Sequence, residues 1–164
     1  MKTSTDRILT THVGSLPRPE KLESLLYKVE FGEDYDPAEL DQAATEAVAE
    51  MVAQQRSWGL DIINDGEMSK TGYATYIQQR LGGFSGDSPS VRFDDLSNFP
   101  GYRKMLSRMA ETRRLNRPCC TSEVVIRDRE PLRKDLENLT AAAEGSDATE
   151  FFMNAASPGV ISVF

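Results

Sequence analysis

Histidine occurs once, at His12, and cysteine twice, at the adjacent positions Cys119 and Cys120. A metal centre built mainly of histidines is therefore excluded, and adjacent cysteines very rarely bridge each other, so no disulfide framework is encoded. A reducing compartment, the cytoplasm, fits that count. No apolar stretch approaches the roughly 20 residues of a membrane helix, and Met1 to Arg7 lacks the apolar core of a signal peptide. A soluble protein with no membrane partner is expected. Basic residues are the minority, 19 against 26 acidic ones, for a net charge of -7. A phosphate-binding footprint of clustered Lys and Arg is not expected, and nucleic acid is a poor partner. There is no internal repeat, no low-complexity tract and no Gly-rich phosphate loop of common spacing. What is present, 39% hydrophobic residues in 164, suffices for one ordinary domain and not for two.

Ile8 to Val13 is short, β-branched and apolar, and Gly14-Ser15-Leu16-Pro17-Arg18-Pro19 follows at once, which predicts a buried strand ending in a turn. Asp36-Pro37 places a capping residue before a proline, and Leu40, Ala43, Ala44, Ala47, Val48, Met51 and Val52 recur at helical spacing up to Gly59. Leu60 to Asn64 is too short for a helix and is bounded by Asp65-Gly66, so strand, helix, strand with parallel pairing is predicted. Further along, helices are expected from Tyr73 to Leu81, from Phe99 to Leu115 and from Pro131 to Ala143. Cys120 to Ile126 reads as a strand pairing with Gly82 to Ser85 outside the main sheet, and Phe151 to Ala156 as a final strand running into Ser157-Pro158-Gly159. The class is α/β, with sheet strands near residues 8, 61 and 151. Gly159 to Phe164 closes on an apolar run without charge, whereas chain ends are normally solvated, so a fragment of a longer protein is expected.

Two loops could carry chemistry. Gly14 would let a ligand approach the backbone and Ser15 offers a hydroxyl and an N–H at the end of a strand, although a serine-capped tight turn explains the same residues. Asp65-Gly66-Glu67 ends the next strand on the same rim; its carboxylates could hold an ammonium group, act as bases or bind a metal, or belong to a solvated turn. His12 with Cys119 and Cys120 would give three zinc ligands, but the paired Cys-x-x-Cys spacing of a structural site is lacking. A Cys–His nucleophile pair is no better supported.

Thr10 to Pro19 resembles the opening of the catalytic barrel in the cobalamin-independent methionine synthase family, a Thr-Thr-x-Val/Ile-Gly-Ser-x-Pro run shared with the shorter single-barrel paralogues. Gly59 to Glu67, Phe99-Pro100-Gly101-Tyr102 and Ala155 to Ile161 agree in the same order. The resemblance implies a (β/α)8 TIM barrel, typically about 250 residues, whose site lies at the C-terminal ends of the strands. Residues 1–164 would then be the N-terminal portion of one such domain, about three barrel strands with an insertion after the second.

The resemblance further implies zinc-dependent methyl transfer from a methyl-folate to homocysteine, and hence methionine biosynthesis. Val13, Gly14 and Ser15 would hold the amino-acid part of the thiol, Glu67 its ammonium group, and Cys120 would lie by the pterin. The zinc ligands would come from beyond Phe164, so this chain alone would bind no cofactor and would be inactive. His12 is typical of the paralogue branch, the resemblance begins at the N-terminus so that the synthase's first barrel is not expected, and Thr121-Ser122-Glu123 departs from the Gly-Pro pattern after the family cysteine. These departures favour transfer of a methyl or another alkyl group to a thiol over methionine synthesis specifically. The alternative is a non-catalytic partial barrel that self-associates through open sheet edges.

Overall fold

Asp36 begins the longest helix in the way its position before a proline predicts. In the computed structural model, which describes residues 2–72, 75–86, 94–113 and 119–161, its carboxylate accepts from the Ala38 N–H at 2.9 Å. An earlier helix, α1, spans Glu20–Phe31; α2 runs from Pro37 to Ser57. Ala43, Ala44, Ala47, Val48, Met51 and Val52 form the buried stripe of α2, and Leu22, Leu25 and Leu26 of α1 pack into the same core. The sequence reading placed no element between Pro19 and Asp36, so α1 is an addition. A left-handed Gly32 (φ 67°) closes it.

The first sheet is smaller than predicted. Strand β1 is only Ile62–Ile63, and it pairs in parallel with β4, Glu150–Phe151; on its other side a single parallel bridge joins Ile62 to Thr11. The parallel order therefore agrees with the predicted strand, helix, strand unit, but the extent does not. On the Thr11 side pairing goes no further because buried Gln55 takes both backbone groups of Asn64: its Nε2 donates to Asn64 O at 2.8 Å and its Oε1 accepts from Asn64 N at 3.2 Å. With β1 so short, the strand expected at Phe151 to Ala156 ends at Phe151, and Pro158–Ile161 forms a short helix, α6. The segment from Ile8 to Val13 is not a buried strand. It has β1 on one side only, and Ile8 and Val13 are 81% and 68% exposed.

Between β1 and β4 the chain makes an excursion. Helix α3, Thr75–Arg80, leads into β2, Leu81–Ser85, which pairs antiparallel with β3, Cys119–Ile126, as the sequence predicts. Tyr73 of the expected helix lies outside the described residues, and Leu81 already belongs to the strand. Helix α4 covers Pro100–Arg113, while Leu115 lies outside the described residues. Helix α5, Glu130–Ala143, returns the chain to the core, where Leu139 and Ala143 are buried with the α2 stripe. The architecture is a mixed α/β layer with two open two-stranded sheets. No helix among the described residues is long and apolar enough to cross a membrane.

Candidate functional site

The turn after β1 is heavily cross-braced. Asn64 donates from Nδ2 to His12 O at 2.6 Å and accepts from Gly66 N at 2.8 Å, so it ties the two predicted site loops together. Asp65 accepts from Glu67 N at 3.1 Å with one oxygen and from the Lys70 ammonium at 2.9 Å with the other. Gly66 and Glu67 are both left-handed, with φ of 58° and 57°, and Glu67 is the one non-glycine residue with positive φ among the described residues. That conformation costs about 1 kcal/mol or more in a residue with a Cβ, so the surroundings must hold it. Arg18 does much of this. Its Nη2 donates to Glu67 O at 2.9 Å and to Lys70 O at 2.5 Å, and its Nε to Met68 O at 3.3 Å. Burial pulls the Arg18 guanidinium below its usual pKa, and the charge of Glu67 opposes that pull.

The double left-handed turn directs the Glu67 side chain inward, to 3% exposure. There its Oε2 accepts from Ser15 Oγ at 2.5 Å and its Oε1 from Asn154 Nδ2 at 3.3 Å. The structure thus brings Ser15 and Glu67 into direct contact, while Leu16 N donates to Gly66 O at 3.0 Å to fix the two loops in register. Gly14 (φ 103°) has nothing within 4 Å of where a Cβ would stand, and Val13 beside it is exposed. The imidazole of His12 turns back on its own loop, its Nε2 3.0 Å from Gly14 O.

Cys120 is not part of this group. It is exposed on β3, in the other sheet, and its Sγ donates to Ser122 O at 3.6 Å. The sequence reading also missed Arg18, Lys70 and Asn154. Lys70 is buried, and besides Asp65 it donates to Asn154 O at 3.2 Å. Arg18 carried a faint signal by lying within the same turn as Ser15, but Asn154 had none, because its contact with Glu67 spans 87 positions.

The sequence model of the cobalamin-independent synthase catalytic domain matches residues 8–91, just over half of the chain. The chain belongs to that family. Val13, Gly14, Ser15 and Glu67 fall inside the match; Cys120 and Asn154 fall beyond it. A methionine synthase of Sulfolobus acidocaldarius is 32% identical over 75 residues, covering 46% of this chain. The match spans 22% of the length of that synthase. Within this synthase family, the shared region holds both loops of the Ser15–Glu67 pair.

Proposed function

We propose that this chain forms the amino-acid-binding part of a thiol methyl- or alkyltransferase site, carried on the first portion of a (β/α)8 barrel. The supporting observation is the Ser15–Glu67 pair. A buried carboxylate held in a left-handed turn, with one hydroxyl and one amide already on its oxygens, is arranged to receive a small cation such as the ammonium of an amino acid. Open space beside Gly14 leaves the backbone next to Ser15 approachable.

The substrate in this reading is homocysteine or another small amino thiol, and the donor is a methyl-folate or another alkyl carrier. The bond from the folate nitrogen to the methyl carbon breaks as one forms from the thiol sulfur to that carbon, and the proton lost by the thiol is matched by one taken up at the folate nitrogen. Zinc, in the family, lowers the thiol's pKa so that this proton is lost readily. Among the described residues no group of three His, Cys, Asp or Glu side chains is placed to hold a metal ion. In this reading the chain's own share of the chemistry is recognition: Glu67 binds and orients the ammonium, and Ser15 fixes the Glu67 carboxylate.

Calorimetric titration with L-homocysteine and with mercaptobutyrate, which lacks the ammonium, tests the reading. Tighter binding of L-homocysteine supports it, and equal affinity overturns it. A non-catalytic reading rests on a different observation: Val124, Val125 and Ile126 of β3 are 45%, 50% and 57% exposed beside open sheet edges. Such a surface favours self-association. Sedimentation of the isolated chain decides this second reading, and a monodisperse monomer would sink it.

A further inference from the structure

Asn154 meets the site in two independent ways. Its backbone carbonyl accepts from the buried Lys70 ammonium at 3.2 Å, and its side-chain Nδ2 donates to Glu67 Oε1 at 3.3 Å. An ionised carboxylate can only accept, so the NH2 of the carboxamide must face Glu67, and the orientation of the amide is thereby assigned. Oδ1 sits on the same carbon as Nδ2, within the same planar group, and makes no hydrogen bond among the described residues. Asn154 is only half-buried, so that oxygen remains reachable.

A primary ammonium carries three N–H donors. The Glu67 carboxylate offers an acceptor and the opposing charge; the Ser15 hydroxyl, its O–H directed at Glu67, keeps lone pairs that accept. Asn154 Oδ1 supplies a third acceptor from another segment. We propose that Asn154 is a specificity-determining residue of this site, reading a primary ammonium through Oδ1 while holding Glu67 through Nδ2. The inference rests on the amino-thiol reading above and narrows it to thiols with a free, unmethylated ammonium. A dimethylated ammonium has one N–H and leaves two of the three acceptors unpaired, and the cost of unpaired polar groups is the basis of the discrimination.

The test is calorimetric titration of the chain, wild type, Asn154→Leu and Glu67→Gln, with L-homocysteine, N,N-dimethyl-L-homocysteine and mercaptobutyrate. Wild type is expected to bind L-homocysteine at least about tenfold more tightly than the dimethyl compound, the worth of one charge-assisted hydrogen bond. Asn154→Leu should weaken L-homocysteine by about tenfold, weaken the dimethyl compound less, and leave mercaptobutyrate, which has no ammonium, unchanged. The Lys70 contact uses the backbone, so it survives the substitution; Asn154→Ala, which removes the same carboxamide, serves if the leucine variant does not fold. Unchanged L-homocysteine binding in the Asn154 variant, with weakened binding in Glu67→Gln, overturns the role of Asn154 and leaves the Glu67 reading standing. A wild-type chain that binds L-homocysteine no better than mercaptobutyrate overturns that reading and this inference together.

Discussion

The Lys70 ammonium lies 2.9 Å from Asp65 Oδ2, and the two side chains are only 3% and 2% exposed. Such a pair adds little over an apolar pair of the same shape, but removing one member strands the other charge away from water. Lys70→Met is therefore expected to destabilise the chain by about 3–5 kcal/mol, and Asp65→Asn with Lys70→Met to recover a large part of that loss. Urea unfolding of the single and double variants measures both. Equal losses in the two would show that the charge pairing is not what holds this turn.

Glu67→Gln keeps the shape of the side chain and the possibility of a bond from Ser15 while removing the charge. L-Homocysteine binding is expected to weaken by about tenfold or more, with the urea midpoint nearly unchanged. Titration calorimetry reads the first quantity and denaturation the second. A residue with no part in binding would leave the calorimetry unchanged, and a purely structural one would lower the urea midpoint instead.

Glycine substitutions separate crowding by side chains from crowding by backbone. At Gly66 an added Cβ would stand 3.0 Å from Met51 Cγ and Met68 Cε and 3.3 Å from Leu16 Cβ, all side-chain atoms. At Gly83 (φ 95°) it would stand 2.5 Å from the Glu123 carbonyl oxygen across the β2–β3 ladder, which cannot move without breaking the register. Gly66→Ala should cost about 1–2 kcal/mol, mainly for the left-handed backbone, and Gly83→Ala about 3 kcal/mol or more. Thermal unfolding of the two variants gives the order.

Acid sensitivity is expected to centre on Asp61. Arg7 hydrogen-bonds its carboxylate and Thr10 N donates to it at 2.9 Å, which together hold its pKa well below the usual carboxylate range. A folded-state pKa below the unfolded one contributes stability above the unfolded value, about 3.9, and that contribution is lost as pH falls toward the folded value. Asp61→Asn should thus be less stable than wild type at pH 7, with the difference narrowing below about pH 4. Circular dichroism during acid titration of both proteins follows it.

Helix α2 was legible because its start is written locally, in Asp36-Pro37, and its apolar stripe repeats for several turns. Helix α1 carries a comparable stripe, Leu22, Leu25 and Leu26, but it begins after Pro19, which makes no side-chain cap, so the start signal is missing. Ser15 and Glu67 could be placed together from sequence because each follows a segment of one parallel unit, and parallel neighbours end on the same side. The extent of pairing was not legible, since Gln55, a polar residue on a helix, closes off the Thr11 side by taking both backbone groups of Asn64. Asn154 was out of reach for the same kind of reason: its role depends on a contact that only the folded chain creates.

Lys70 and Glu67 touch Asn154 across separations of 84 and 87 positions, with the whole β2–β3 excursion lying between them. Contacts that distant in sequence are slow to form, because a long loop must close before they return any free energy. The helix pair α1 and α2, by contrast, is assembled from near neighbours in the chain and can form early. Completion of the Glu67 site is thus expected among the later events of folding, and a ligand captured there would stabilise the fully closed chain over partly folded forms.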